Sequence, residues 1–251
     1  MLTTERFSNR VENYVKYRPH YPEKIVDYLT DEINFSSKKI VADIGSGTGI
    51  LTELFLQNKN IVYAVEPNAA MRLKAEELLN NYSNFISVDG TAEHTKLENK
   101  SIDLIVAAQA FHWFDAQKTK QEFQRIAKQN AYVFLIWNER MVSSDFEKDY
   151  ENLLLKYATD YTTVDHRNIY EEKIAEFFQP NNFSYAEFEN EQIFDFGGLK
   201  GRLLSSSYIP NEHNENFDKM IKELHDLFQK HAVNNKVGFD YKTKLYFGKV
   251  E

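Results

Sequence analysis

The chain has 251 residues, 42% apolar and 27% charged, with a formal net charge of −8. That is enough to bury a core in one large domain, and the acidic balance argues against a broad nucleic-acid surface, which needs a basic excess. Cysteine is absent, which excludes disulfides, thiolate metal sites and cysteine nucleophiles and fits a reducing compartment.

The opening segment MLTTERFSNRVENYVKYRPHYPEK has no apolar core of the kind a secretory signal carries. No apolar run reaches the ~20 residues of a membrane span. The expectation is a cytoplasmic protein with no membrane association.

In chain order, Ile40–Ile44 reads as a short buried strand that stops at Gly45. A helix follows to Gln57, with Ile50, Leu51, Leu54 and Phe55 at helical spacing. Ile61–Val65 is a second strand. Asn68 caps a helix reaching about Asn80. Phe85–Val88, Ile102–Ala107 and Ala131–Trp137 are further strands, with a helix over Ala116–Lys128. Strands alternating with helices predict parallel βαβ units and a sheet covered on both faces.

Beyond Trp137 the rhythm changes. Ser144–Ala158 and Glu171–Phe178 read as helices, Tyr185–Phe196 as a strand and Leu199–Ser205 as a short helix. Asn214–Ala232 is an amphipathic helix, and Val237–Val250 alternates as a last strand. The expected architecture is α/β: a Rossmann-like, seven-stranded, mostly parallel sheet with helices on both faces, its final strand antiparallel. A single domain over 1–251 divides into a cofactor-binding half at 36–138, a mainly helical substrate-covering insertion at about 139–210, and a final helix and strand at 211–251.

The chemistry centres on Asp43-Ile44-Gly45-Ser46-Gly47-Thr48-Gly49, at the junction of the first strand and helix. Alternating glycines make a turn that lets a ligand approach the backbone, in the crevice where open α/β sheets bind ligands. The dinucleotide fingerprint fails, because its third glycine position is Ile50. Asp43 would repel a pyrophosphate and suits a ligand with an ammonium or sulfonium centre. Glu66 ends the second strand, 21 positions after Gly45, where an acidic residue accepts hydrogen bonds from ribose hydroxyls.

These residues, with Val65-Glu66-Pro67-Asn68-Ala69-Ala70-Met71 and Asp89-Gly90-Thr91-Ala92-Glu93, resemble the class I S-adenosylmethionine-dependent methyltransferases. Gln109-Ala110-Phe111-His112-Trp113-Phe114-Asp115 is similar to the small-molecule branch around trans-aconitate methyltransferases, as are the Tyr17-Arg18-Pro19 region and Ser205-Ser206-Ser207-Tyr208-Ile209-Pro210. The resemblance implies an enzyme using S-adenosylmethionine and releasing S-adenosylhomocysteine. It implies that Gly45, Ser46 and Gly47 line the methionine and ribose, and that Asp43 supports the loop or meets the amino group. Glu66 would take both ribose hydroxyls, and Pro67 or Met71 would pack on adenine. Thr91, Ala92 and Glu93 would flank adenine, while Gln109 and His112 face the methyl group and acceptor. Where relatives have a Pro-Gly-Gly turn before the fifth strand, this chain has Ala127-Lys128-Gln129-Asn130-Ala131.

His112 is the candidate catalytic base, its ordinary pKa lying near ~6.5. The aromatic rings of Phe111, Trp113 and Phe114 are candidates to face the sulfonium. Tyr14, Tyr17, Arg18 and Tyr21 are candidates for a lid, with Arg18 able to pair with a carboxylate. Trp137, Asn138 and Arg140, at the end of the fifth strand, and Tyr208 complete the candidate substrate residues. No set of histidines and carboxylates has convincing metal-ligand spacing, Asp165-His166 and His225 to His231 included. The expected partner is a small-molecule methyl acceptor, a carboxylate or another oxygen or nitrogen nucleophile, and not nucleic acid. A nicotinamide-linked oxidoreductase and a non-catalytic cofactor-binding module are the competing readings.

Overall fold

A computed structural model describes residues 11–159, 161 and 171–250. The opening ten residues and Asp165-His166 lie outside the described residues. The chain begins with α1 (Val11–Tyr17) and α2 (Lys24–Ile33). There follow β1 (Ile40–Ile44), α3 (Ile50–Gln57), β2 (Ile61–Val65), α4 (Ala69–Leu79), β3 (Phe85–Val88) and β4 (Ile102–Ala108). A 3-10 turn at Phe111–Trp113 leads to α5 (Ala116–Ile126) and β5 (Ala127–Arg140). The remainder is α6 (Asp145–Tyr157), α7 (Glu171–Phe178), β6 (Ser184–Phe194), α8 (Phe196–Leu204), α9 (Phe217–His231) and β7 (Val237–Gly248).

The seven strands form one sheet in the order β3-β2-β1-β4-β5-β7-β6. β1 to β5 pair in parallel, and β7 runs antiparallel between β5 and β6. This is the Rossmann-like arrangement expected, with the last strand reversed. The order turns back between β1 and β4, so the chain leaving β1 opens into a crevice between diverging connections.

Side chains alternate across the strands and divide the core. Val41, Leu104, Val106, Phe134 and Ile136 face one side, under Ile25 and Leu29 of α2 and Phe55 of α3. Ala42, Ile105, Ala107, Val133, Leu135 and Trp137 face the other, against Phe123 of α5 and Phe177 of α7. A third cluster joins α6, α8 and α9 to the near ends of β6 and β7, through residues such as Tyr150, Leu199, Leu224 and Phe239.

Several elements differ from those expected of the sequence. α2 lies outside the elements expected of the sequence; it is amphipathic, with Ile25 and Leu29 one helical turn apart and fully covered. β5 begins at Ala127 rather than Ala131, because Ala127 pairs with Ile102 before a register shift, beside which Asn130 adopts a φ of 67°. The strand expected at Tyr185–Phe196 is present as Ser184–Phe194, and it forms the edge of the central sheet, inside the stretch expected as a mainly helical cover. The helix after it starts at Phe196, a little earlier than expected, because Asp195 accepts a hydrogen bond from the Gly198 amide at 2.8 Å and caps it.

Candidate active site

Leaving β1, the Gly45 and Ser46 amides donate to the Val65 carbonyl at 2.8 and 3.2 Å, holding the loop against the end of β2. Gly45 has a φ of 70°, and a β-carbon there would lie 2.7 Å from Cβ of Ala110 and 3.3 Å from the Phe114 ring. Only glycine satisfies both the left-handed backbone and this approach. The loop then enters α3, whose Thr52 hydroxyl donates to Asp43 Oδ2 at 2.6 Å.

Asp43 is 1% exposed, and its other oxygen, Oδ1, has no hydrogen-bond partner among the described residues. Burial pushes its pKa up to about 7, against the lowering effect of the Thr52 hydrogen bond. Glu66 is also buried, its oxygens accepting from the Gly47 amide at 2.9 Å and the Asn68 amide at 2.7 Å. Burial raises its pKa too, and those two amides oppose the shift. Asn68 in turn caps α4 through the Met71 amide at 3.0 Å. One chain of hydrogen bonds therefore ties the glycine loop to the end of β2 and the start of α4.

A cleft opens over this loop. Asp43, Gly45, Ser46 and Gly47 form its floor. Gln109, His112 and Trp113 enter from the β4 side, Asn138 and Arg140 from β5, and Tyr14 and Arg18 from the N-terminal segment. Tyr208 comes from the C-terminal half, with Arg202, Ser207 and Tyr241. Gln109, at a φ of 54°, turns back so that its side-chain amide donates to the Asn138 carbonyl at 3.0 Å. The His112 ring lies tilted against Trp113, 4.5 Å between centroids. Phe111 points away into the core, edge-on to Phe177 at 4.8 Å.

Two candidate substrate residues lie elsewhere. Trp137 belongs to the opposite face of the sheet, edge-on to Phe111 and Tyr246. Adjacent strand residues point to opposite faces, so Asn138 in the cleft places Trp137 outside it. Tyr17 fills a notch over Gly201, where a β-carbon would come within 2.0 Å of its ring, and packs edge-on to Phe194. Pro67, Met71, Thr91, Ala92 and Glu93 do not line the cleft; they follow β2 and β3 along the same edge of the sheet. There Met71 and Ala92 are buried, and the Glu93 carboxylate accepts from the Asp115 amide at 3.0 Å.

Arg202, Tyr241 and Tyr161 also line the cleft, and no motif in the sequence marks them. Arg202 is the most informative of them: it is 7% exposed in a short helix, and a lone arginine there reads as a solvated charge.

The N-terminal segment is fastened across the cleft. Glu12 pairs with Lys74 of α4 at 3.0 Å. The Gln192 side chain donates to the Tyr17 carbonyl at 3.1 Å, and Arg18 donates to the Ser205 carbonyl at 3.1 Å. Asn138, oriented by the Thr243 hydroxyl at 2.5 Å, reaches the Pro19 and His20 carbonyls at 3.3 Å. Burial raises the Tyr14 phenol's pKa, with the charges of Arg18 and Glu66 pulling it in opposite directions.

The site suits S-adenosylmethionine better than a pyrophosphate cofactor. Its floor carries the Asp43 carboxylate, whose buried oxygen Oδ1 can still accept from an ammonium group, and Glu66, which does not itself line the cleft, holds the loop beside it. The Ser46 and Thr48 hydroxyls are buried without hydrogen-bond partners among the described residues, and open space lies beyond the Gly47 α-carbon. Asp43, Ser46, Gly47 and Glu66 would hold the cofactor's methionine and ribose.

Comparison with known proteins agrees. Residues 42–135 match the family model described as a methyltransferase domain. An uncharacterized methyltransferase-like protein of Schizosaccharomyces pombe is 26% identical over 257 aligned positions, covering 100% of this chain and 97% of the relative. A structure from Anaeromyxobacter dehalogenans, solved under the name "Putative Type II Methyltransferase", superposes with a TM-score of 0.69 at 18% identity, over 93% of this chain and 98% of that one. The geranyl diphosphate C-methyltransferase of Streptomyces coelicolor, solved with S-adenosyl-L-homocysteine, shares the fold with a TM-score of 0.51 at 11% identity, over 91% of this chain and 76% of that one. Glycine loop, sheet order and relatives converge: this protein is a class I S-adenosylmethionine-dependent methyltransferase.

Proposed function

We propose that the enzyme methylates a small molecule, a carboxylate or another oxygen or nitrogen nucleophile, in the cytoplasm, and that nucleic acid is not its acceptor. The observation that carries this reading is the cover: α1 and the Pro19–His20 carbonyls are tied down over the glycine loop from three directions. A covered cleft admits a small acceptor more readily than a folded chain or a duplex. The acidic balance, the lack of cysteine and the lack, among the described residues, of a helix able to cross a membrane are compatible with it.

When bound, S-adenosylmethionine supplies an electrophilic methyl group on a sulfonium; the acceptor's lone pair forms the new bond to carbon as the carbon–sulfur bond breaks, leaving the neutral thioether of S-adenosylhomocysteine. The chain's contribution is positioning. Glu66 and the glycine loop fix the donor end, and the far wall fixes the acceptor, so an in-line approach is arranged before reaction. Closure of the N-terminal segment keeps water out of the cleft. His112, at the cleft wall, takes the proton of an acceptor that carries one; a carboxylate acceptor needs no base.

The test is transfer of labelled methyl from S-adenosylmethionine to a panel of small acids, alcohols and amines, beside total protein and RNA. Label on a small molecule supports the reading. Label confined to protein or RNA overturns it.

A further inference from the structure

Asn138 lines the cleft, yet its side chain is committed inside the protein. It is 3% exposed. Its Oδ1 accepts from the Thr243 hydroxyl at 2.5 Å and from the Asn190 carboxamide at 3.3 Å. Its Nδ2 donates to the Pro19 and His20 carbonyls, each at 3.3 Å. A carboxamide has two hydrogens and two lone pairs, so none remains for a bound molecule. The side chain holds the cover rather than the acceptor.

The backbone of the same residue serves the opposite wall. Its carbonyl accepts from the Gln109 side chain at 3.0 Å, while the Gln109 amide donates to the Ile136 carbonyl at 2.8 Å. Gln109 is thereby held on β5 at both ends, which sustains its left-handed φ of 54°. His112 and Trp113 follow within four residues and line the cleft, as do Arg18 and Tyr21 on either side of Pro19–His20. Asn138 thus fixes the cover and the β4 wall from one point, on a strand paired with β4 on one side and β7 on the other.

The N-terminal segment is fastened unevenly. At Tyr17–His20 its carbonyls accept from Gln192 at 3.1 Å, from Asn190 at 2.7 Å and from Asn138, and Arg18 reaches across to Ser205. At its start α1 meets α4 through Glu12 and Lys74, and the Glu12 side chain is 82% exposed, so water screens that pair. No residue of α1 is fully buried. The segment therefore has a firm root beside β5 and a loose tip over α4. We propose that Asn138 is a positioning residue: it pins the root of the N-terminal segment in register with Gln109, and so sets how often α1 swings off the cleft at the α4 side to admit the methyl donor and release its thioether product. The proposal is independent of which acceptor the enzyme uses.

The test needs no acceptor. Binding of S-adenosylhomocysteine to the full chain is followed by stopped-flow tryptophan fluorescence, Trp113 being a wall residue of the cleft. Asn138→Ala removes two hydrogen bonds to the root and should raise the association and dissociation rate constants together, about 10-fold each. Entry and exit both wait on opening, so the dissociation constant should stay within about threefold of the native value. Amide hydrogen exchange over residues 14–21 should quicken in the same variant. Thr243 does not line the cleft, so Thr243→Val, which removes the hydroxyl that orients Asn138, should give part of both increases, and Thr243→Ser should behave as the native protein. Asn138→Ala combined with Thr243→Val should match Asn138→Ala alone, because both act through one side chain. Faster dissociation with unchanged association would make Asn138 a direct ligand contact and overturn the proposal, as would unchanged rates in Asn138→Ala or additive effects of the two substitutions. If Asn138→Ala does not fold, as thermal melting would show, the Thr243 variants decide: equal rates in Thr243→Val, Thr243→Ser and the native protein would overturn it.

Discussion

Replacing Asp43 by asparagine should stabilise the ligand-free enzyme while impairing cofactor binding. Asp43 is buried, with a pKa raised from 3.8 to about 7. A raised carboxylate pKa means that the folded state binds the proton more tightly than the unfolded state, so stability falls as pH rises between the two values and stays low above the upper one. With ~1.4 kcal/mol per pKa unit, the penalty amounts to about 1 kcal/mol at pH 4.5 and about 4 kcal/mol at pH 8. Asparagine keeps an oxygen for the Thr52 hydroxyl and carries no charge. Asp43→Asn should therefore gain about 3 kcal/mol more over the native protein at pH 8 than at pH 4.5. Urea unfolding at both pH values measures this directly. Calorimetry with S-adenosylhomocysteine at pH 8 should show about tenfold weaker binding, because the ammonium loses a charged partner. An equal stability difference at both pH values would refute the argument, for Asp43 would then titrate as an ordinary surface carboxylate.

Glu66→Ala should weaken S-adenosylhomocysteine binding by about 1–3 kcal/mol and lower the melting temperature, since the Gly47 and Asn68 amides both lose their acceptor; calorimetry and a melting curve check each part. His112→Ala should lower turnover more than cofactor affinity, read as kcat against the dissociation constant of S-adenosylhomocysteine; equal losses would reduce the ring to a packing element. Gly201→Ala should release α1, because the new methyl group takes the space of the Tyr17 ring. A helical glycine-to-alanine change ordinarily stabilises by about 1 kcal/mol, so a lower melting temperature with faster hydrogen exchange over residues 11–18 would be the signature of Tyr17 expelled, and a higher one would count against the notch.

The parallel half of the sheet was legible because each of its strands is a short apolar run bounded by a turn, and the glycine loop and Glu66 announce themselves by position. Asp43, Gly45, Ser46 and Gly47 meet in one cleft floor, with Gln109 and His112 at its wall. The Trp137 expectation failed on parity: neighbours on a strand cannot share a face, and Asn138 already occupied that of Ile136 and Phe134. Tyr17 and Arg18 are one cluster in sequence, yet the ring is captured by an absence, the missing β-carbon of Gly201, 184 positions along the chain. The start of β5 was hidden because Lys128, Gln129 and Asn130 look like a turn, and pairing through a bulge leaves no periodic trace. Arg202 was invisible for a related reason: nothing local tells a charge in contact with Tyr241 and Ser206 from one in water.

The place of β7 in the sheet has a consequence for how the enzyme comes into being. β6 precedes β7 in the chain yet lies outside it, so β6 has no neighbour until β7 has docked on β5. The strands that carry the glycine loop and Glu66 can assemble from sequence already made, while Tyr241 and Thr243, which steady Arg202 and Asn138, arrive on the closing strand. Assembly is thereby ordered in time: the glycine loop and Glu66 can take their places first, and the wall built on Arg202 and Asn138 is steadied only once β7, the last strand of the sheet in chain order, has docked.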